Sequence, residues 1–498
     1  MIIERRSTSL PAMEALAHEL SLWARPGLAV HLSGELGAGK SAFARALIRT
    51  LAVDGKEFDI PSPTFSLVQS YDALRVPVSH VDLYRIKSAA EVGELGLEEL
   101  LPKYFTIIEW PENLHGNIPP DCLTVTFQGS GNTRDLRLEA AGKWIDLLER
   151  NQAINGFIGH STMAGGQRHF FEGDASVRRY ERIETAASTM LLMDMPSRPD
   201  GPAVKNGKSY SAIAHLAEGI RAVVAINDYL FSLGYSAPRT YEVDVTRGLA
   251  LIESLGDRVY GRMMMCGDDM GEPITAAVAV LADMATRGWP RTVPVRDTST
   301  YAIPSYDLEA MAIEVDLLPS WFWPLRMKSE PGEEMKGEFS SIWRTLLASI
   351  DSSRPVWALR DYHSPNLLWM PERKELRRVG LIDTQDCVMG HPAYDLVSML
   401  QDARVDIDFK QADELYERYC GFRLAAGPFD AREFSRAFAI LGAQRATKIL
   451  GIFARLSKRD GKHIYLNHIP RVSRYLQRNL AHPDLAALKT WYDRNLPL

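Results

Sequence analysis

The sequence predicts two unlike domains in one chain: an open α/β domain built around a phosphate-binding loop, then an α+β domain with a small strand-rich lobe and a larger helical lobe. Three observations carry this. The 498 residues exceed what one core supports, since single cores stop growing near ~250–300 residues. GELGAGKS at 34–41 stands between an apolar strand pattern and a helical period. Beyond residue 167 strand-like runs give way to helical ones, and RDYHSPN at 360–366 sets an aspartate and an asparagine five positions apart.

The elements follow in order. SLPAMEALAHELSLWA spaces Met13, Leu16, Ala17, Leu20 and Trp23 as one helical stripe, with Ser9 as N-cap and Pro11 in the first turn. LAVHLSG is a short strand, and KSAFARALIRTLAV resumes the helical period. VSHVDLY (78–84), FTIIEW (105–110) and the pair CLTVTFQ and DLRLEA, separated by the turn GSGNTR, are further strands. KWIDLLERN closes a first domain over 1–150, and the polar, glycine-rich stretch 151–166 reads as a linker. The second domain, 167–498, opens with strand-like RHFFEGDASVRRYERIE and STMLLMDMP; helices dominate after 208, with GDDMGEP and KSEPGEEMKGE as surface loops.

Composition narrows the function classes. A hydrophobic share of 46% and a charged share of 24% are those of a globular chain, and no run approaches the ~18 uninterrupted apolar residues of a membrane span. The N-terminal MIIERRSTSLPAME has no apolar stretch after its basic residues, so the expectation is a cytosolic protein without a secretory signal. Cys122, Cys266, Cys387 and Cys420 lie far apart, in neither a zinc nor a disulfide pattern. Residues 1–150 hold 15 Lys and Arg against 20 Asp and Glu. An acidic domain does not grip nucleic acid by its phosphates, so any nucleic-acid role runs through a protein partner.

GELGAGKS matches G-x-x-x-x-G-K-[ST] in the required strand-then-helix context. Gly34, Gly37 and Gly39 let backbone N–H groups converge on phosphate oxygens; Lys40 reaches the outer phosphates and the Ser41 hydroxyl ligates Mg²⁺. Asp82 and Glu109 each end an apolar strand, the edge at which open α/β sheets bind ligands. These stretches, with PSPTF at 61–65, HVDLYR at 80–85 and IIEWPE at 107–112, resemble in order the bacterial ATPase subunit of the tRNA threonylcarbamoyladenosine biosynthesis machinery, TsaE. The resemblance implies a small P-loop α/β domain. In it Lys40 and Ser41 bind phosphate and Mg²⁺, Thr64 lies in a switch-like loop, Asp82 is the metal-side acid and Glu109 organises the nucleotide site. It also implies protein partners that modify adenosine 37 of tRNA, with tRNA met only indirectly.

RDYHSPN carries a second ATP chemistry. Asp361 and Asn366 have the D-x-x-x-x-N spacing of a kinase catalytic loop, with Leu359 where a histidine stands in protein kinases. Asp383 follows in strand-like VGLIDTQD, and GHPAYDL adds Asp395. Asp361 would accept the proton of a substrate hydroxyl while Asn366 and Asp383 hold Mg²⁺ across the phosphates. In GDASVRRY (173–180), strand alternation puts Arg178 and Tyr180 on one face, Arg178 toward the phosphates and Tyr180 over the adenine. LALIESLGD at 249–257 is the expected hinge between lobes. GDASVRRY, LLMDMP, LRDYHSPNLLW and GLIDTQDCVMGHPAYDLVSMLQDAR resemble the aminoglycoside phosphotransferase and choline kinase group, and within it the anomeric N-acetylmuramate/N-acetylglucosamine kinases of peptidoglycan recycling. A bilobal kinase-like fold and an amino-sugar substrate are implied. One departure matters: LLMDMP has Met193 and Asp194 where the family's pattern expects a phosphate-binding lysine, which leaves Arg178 or Arg179 as the replacement cation. His363, where protein kinases have lysine, is a candidate contact for the transferred phosphoryl group.

The expectation is therefore a bifunctional chain using ATP and Mg²⁺ at two sites. Two alternatives stay open at this point: a kinase for an aminoglycoside or amino alcohol, or a kinase-fold scaffold that lost its chemistry with the lysine, joined to a docking P-loop domain. Tyr306, Glu314, Trp321 and Trp323 either line a sugar pocket or belong to the core, the core being the favoured reading of the tryptophans.

Overall fold

A computed structural model of the protein describes residues 1–53, 58–129, 133–171, 178–351 and 353–497. The chain forms two compact units: Met1–Glu172 with Glu181–Thr189, and Gly173–Tyr180 with Met190–Leu498.

The first unit holds a seven-stranded sheet. Its strands are β1 (Ile2–Ser9), β2 (Ala29–Gly34), β3 (Val68–Tyr71), β4 (Val78–Asp82), β5 (Phe105–Glu109), β6 (Cys122–Gln128) and β7 (Thr133–Ala140), in the order β1-β7-β6-β2-β5-β4-β3. β2 pairs in parallel with β5 and β6, and β4 with β5, so the centre is parallel and both faces need cover. Every residue of β4 and β5 is accordingly buried. Helix α1 (Leu10–Ser21) buries Met13, Leu16, Ala17 and Leu20 as expected; Ser9 occupies the N-cap position, but its side chain accepts no capping hydrogen bond. Helix α2 (Lys40–Arg49) follows the glycine-rich loop, and short helices α3 (Ala89–Glu94) and α4 (Leu97–Leu100) precede β5.

Helix α5 (Lys143–Gly159) corrects the expected linker: residues 151–159 are helical, and Asn151, Ile154 and Ile158 continue the buried stripe begun by Trp144 and Leu148. A buried asparagine and two glycines masked that period in the sequence. Asn151 is held in the core by a hydrogen bond from Trp23 Nε1 at 3.0 Å. The unit also takes in β8 (Gln167–Phe171) and the Glu181–Glu184 part of β9 (Arg179–Glu184). Arg168 of β8 donates to both oxygens of buried Glu181, at 2.6 and 2.9 Å, and to Asn151 and Asn155 of α5. Its carbonyl lies 2.5 Å from His18 Nε2 on α1.

In the second unit β10 (Thr189–Asp194) pairs antiparallel with Leu249–Ile252, which pairs with Thr240–Asp244. The rest is mainly helical around one large apolar core. Two of the expected loops are shorter than read, because helices start within them at Gly271 and Glu333. The antiparallel pairs Val356–Ala358 with Val388–Gly390, and Leu367–Trp369 with Val379–Leu381, frame the RDYHSPN loop. Helices Ala393–Leu400 and Ala431–Asp460 pack together beneath it. The latter is long and apolar enough to cross a membrane by length and composition alone, but 83% of its apolar window is buried inside the unit, as for a core helix.

Candidate active sites

The loop after β2 is built for close backbone approach. A Cβ on Gly34 would meet the Phe127 carbonyl oxygen at 2.6 Å, and Gly39 caps α2 at φ +106, in the left-handed region. Gly37 also has positive φ. Lys40 is buried; its Nζ donates to the carbonyls of Gly34 (2.6 Å) and Glu35 (2.8 Å) and lies 3.6 Å from the Trp110 ring centroid. A phosphate would compete with those carbonyls for the ammonium. Burial pushes the Lys40 pKa down, against the pull of Glu109, Glu112 and Asp82.

Strand register brings the two acids together, since Asp82 of β4 is the partner of Glu109 of β5. Ser41 Oγ donates to Glu109 at 2.7 Å, and His80 Nε2 lies 2.9 Å from the other Glu109 oxygen. Asp82 accepts from the Tyr84 N–H at 2.9 Å and Ser62 Oγ at 3.5 Å. Burial raises its pKa, helped by Glu109 and opposed by Tyr84, His80 and Ser62. Ser41 and Glu109, with Asp82 one strand over, offer oxygen donors of the kind Mg²⁺ takes. Thr64 lies in the turn following Pro63, half-buried. The sequence reading missed two residues. His80 was findable, because alternation puts it on the face of Asp82; Trp110, held at φ +60 beside Lys40, gives no such signal.

In the second unit the three predicted kinase residues converge. Asn366 Nδ2 lies 3.1 Å from the Asp361 carbonyl and 3.4 Å from Asp383 Oδ2. Asp361 keeps 35% of its side chain exposed, enough to meet a substrate hydroxyl, with His363 Nε2 3.7 Å from its carboxylate. Burial raises the Asp361 pKa, but His363, Arg445, Lys448 and Arg360 outweigh it and hold the carboxyl below its ordinary value. Burial pushes His363 down, against Asp402 and Asp361. Arg360 and Asp383 both take left-handed backbone angles, a strain that clusters at functional loops.

Arg178 ion-pairs with Asp383 and donates to Gln385 Oε1 at 2.7 Å, while Tyr180 packs on the apolar cluster of Met193, Met195 and Ala250. Residues 173–177 of the expected phosphate-covering turn lie outside the described residues. Met193 and Asp194, at the position of the missing lysine, are buried.

The loop is anchored from below. The carboxylate of Asp395 accepts the backbone N–H groups of Leu359 (2.6 Å) and Arg360 (2.9 Å), and burial lifts its pKa to about 7. Asp402 accepts the Ser364 N–H and hydroxyl at 2.8 and 2.6 Å. Glu314, fully buried, accepts from Arg360, from Lys448 Nζ at 2.7 Å, Gln444 Nε2 at 2.9 Å and the Tyr306 hydroxyl at 2.5 Å. Tyr306 and Glu314 thus belong to a buried network, and Trp323 to the core, rather than to an open pocket.

Comparison with known proteins agrees with this division. Residues 7–136 match the family model described as threonylcarbamoyl adenosine biosynthesis protein TsaE, and residues 168–434 that of the phosphotransferase enzyme family. The chain is 36% identical over 360 residues to an N-acetylmuramate/N-acetylglucosamine kinase of Caulobacter vibrioides, covering 70% of this chain and 98% of that one. It is 28% identical over 325 residues to a like-named kinase of Pseudomonas aeruginosa, covering 63% of this chain and 84% of that one. Its first part is 39% identical over 121 residues to a tRNA threonylcarbamoyladenosine biosynthesis protein TsaE of Rickettsia conorii, 24% of this chain and 68% of that one. With a P-loop fold in its first part and a kinase-like fold in its second, the chain belongs to the TsaE family through the former and to the phosphotransferase enzyme family through the latter.

Proposed function

We propose that the protein is bifunctional. Its first part acts as an ATPase that supports threonylcarbamoylation of tRNA adenosine 37 through partner proteins, and its second part transfers the γ-phosphoryl group of ATP to the anomeric hydroxyl of N-acetylmuramate or N-acetylglucosamine. The observation that carries the kinase reading is the convergence of Asp361, Asn366 and Asp383 at one loop, supported by the relatives' names. Asp361 takes the proton of the anomeric hydroxyl, that oxygen bonds to the γ-phosphorus, and ADP leaves. His363 faces the transferred group. Asn366 and Asp383 would hold Mg²⁺, whose charge screens the phosphates; their oxygen donors fit that ion. Arg178, now on Asp383, supplies the charge of the absent lysine by moving to the phosphates, with Tyr180 against the adenine.

In the first part, Gly34, Gly37, Gly39, Lys40 and Ser41 cradle the nucleotide, and Ser41 with Asp82 would hold its Mg²⁺. Glu109 orients Ser41, and Thr64 closes from the switch-like turn. The low basic content of residues 1–150 suits a domain that meets tRNA only through partners. A cytoplasmic location, where ATP is available to both sites, belongs to the same reading. A reconstituted tRNA-modifying system lacking its ATPase subunit tests this half. The wild-type chain restores threonylcarbamoylation and Lys40→Ala does not; equal rescue by both rejects it. For the kinase half, a panel of amino sugars, aminoglycosides and amino alcohols identifies the acceptor.

A further inference from the structure

Helix Ala431–Asp460 carries a second cation, Arg445, toward the catalytic loop, and all but its first turn lies beyond the 168–434 span shared with the phosphotransferase family. Arg445 is only 5% exposed. Its Nη1 donates to the carbonyl of Arg360 at 3.0 Å, and the Ser398 hydroxyl donates to the same oxygen at 3.2 Å. That carbonyl belongs to the peptide joining Arg360 to Asp361. On the other side of Arg360, Asp395 holds the N–H groups of Leu359 and Arg360. The residue before the base, itself at φ +68, is therefore clamped at both its N–H and its C=O.

The charges around the loop are not equivalent. Arg360 and Lys448 both pair with Glu314, one carboxylate shared between two cations. Arg445 forms no ion pair with a carboxylate among the described residues, and its buried Nε has no hydrogen-bond partner. Its guanidinium lies 5.7 Å from the Tyr394 ring centroid. Tyr394, Asp361 and Asp402 offset its burial and keep it charged, so the partners of this cation include the base itself.

We propose that Arg445 is a positioning residue for Asp361: it fixes the Arg360 carbonyl so that the Asp361 carboxylate is aimed at the acceptor hydroxyl. This rests on the reading of Asp361 as the general base. Holding that geometry is a matter of the turnover step and not of nucleotide binding, because Arg445 bonds the loop backbone.

The test uses the full chain and three forms, wild type, Arg445→Met and Arg445→Lys, with kcat, KM for ATP and melting temperature measured for each. Arg445→Met lowers kcat by about 10²-fold, the scale of a misplaced catalytic group. It leaves KM for ATP within about twofold and lowers the melting temperature only modestly, since the Arg360 carbonyl keeps its hydrogen bond from the Ser398 hydroxyl. Arg445→Lys keeps the charge on a shorter reach and recovers part of kcat. A kcat for Arg445→Met close to wild type overturns the proposal, as does a parallel fall of kcat and melting temperature in both variants, which marks a purely structural residue. If Arg445→Met does not fold, Arg445→Lys decides: an intermediate kcat with unchanged melting supports the proposal, and wild-type kcat overturns it. A wild-type chain inactive on both amino sugars fails the functional reading alone, and the comparison is then made on whichever aminoglycoside or amino alcohol it phosphorylates. A chain silent on every acceptor overturns both.

Discussion

Removing Glu314 breaks the buried network beneath the RDYHSPN loop, and the size of the effect follows from the structure. The carboxylate is fully buried and accepts four hydrogen bonds, two of them from the cations Arg360 and Lys448. Burial alone raises its pKa, but Lys448 and Arg360 outweigh burial and hold it at about 2, against an ordinary 4.5. Such a depression corresponds to about 3 kcal/mol of stability at neutral pH. That contribution is present above pH 4.5 and is lost as pH falls toward 2, because the unfolded state then binds the proton first. Glu314→Ala also leaves Arg360 and Lys448 buried without a counter-charge, for which about 3–5 kcal/mol is typical. Calorimetric unfolding of the full chain therefore shows the second unit's transition lowered by that amount at pH 7, with the gap to wild type narrowing between pH 4.5 and 2. The double variant Glu314→Gln, Lys448→Met recovers part of the loss by removing charge of both signs. A loss below about 1 kcal/mol at pH 7 for Glu314→Ala, or a gap unchanged by acid, refutes the reasoning.

The two nucleotide sites are separable: Asp361→Ala abolishes phosphoryl transfer while nucleotide binding at the P-loop, followed with a fluorescent analogue, persists, and Lys40→Ala does the reverse. Ser41→Ala and Glu109→Gln each weaken Mg-nucleotide binding at the P-loop by about tenfold or more, the scale of one charge-assisted hydrogen bond, as measured by calorimetric titration. A piece ending at residue 150 unfolds more easily than one ending at 160, because Ile154 and Ile158 are almost wholly buried; at about 1.5–3 kcal/mol for each buried side chain, urea unfolding separates the two by several kcal/mol.

Much of this molecule could be read from its sequence because its chemistry is local. The phosphate loop is eight consecutive residues, and its strand and helix were visible as changes of apolar period on either side. Asp82 and Glu109 were legible as strand-end acids, although only the register of β4 against β5 shows that they meet. Asp361, Asn366 and Asp383 were likewise found by spacing. What spacing does not carry is what reaches the loops from far along the chain. Glu314 pairs with Arg360 and Lys448, and Arg445 holds the Arg360 carbonyl, all through tertiary packing; Lys448 and Arg445 look in the sequence like ordinary surface charges, and nothing there ties Glu314, a sugar-pocket or core candidate, to Arg360. The helical run past residue 150 is hidden in the sequence for a related reason: the Asn151 side chain is satisfied by Trp23 and Arg168, distant partners that make a polar residue compatible with a buried helical stripe. Alternation assigns Arg178 to the face of Tyr180, but its pairing with Asp383 depends on a contact between residues more than two hundred positions apart.

The most direct test of the account is ³¹P NMR of the full-length Lys40→Ala protein, whose P-loop site is silenced, incubated with ATP and either N-acetylmuramate or N-acetylglucosamine. An anomeric 1-phosphate that disappears when Asp361→Ala is added to the same chain is the predicted result. Phosphate on any other hydroxyl, or product surviving the loss of Asp361, contradicts it.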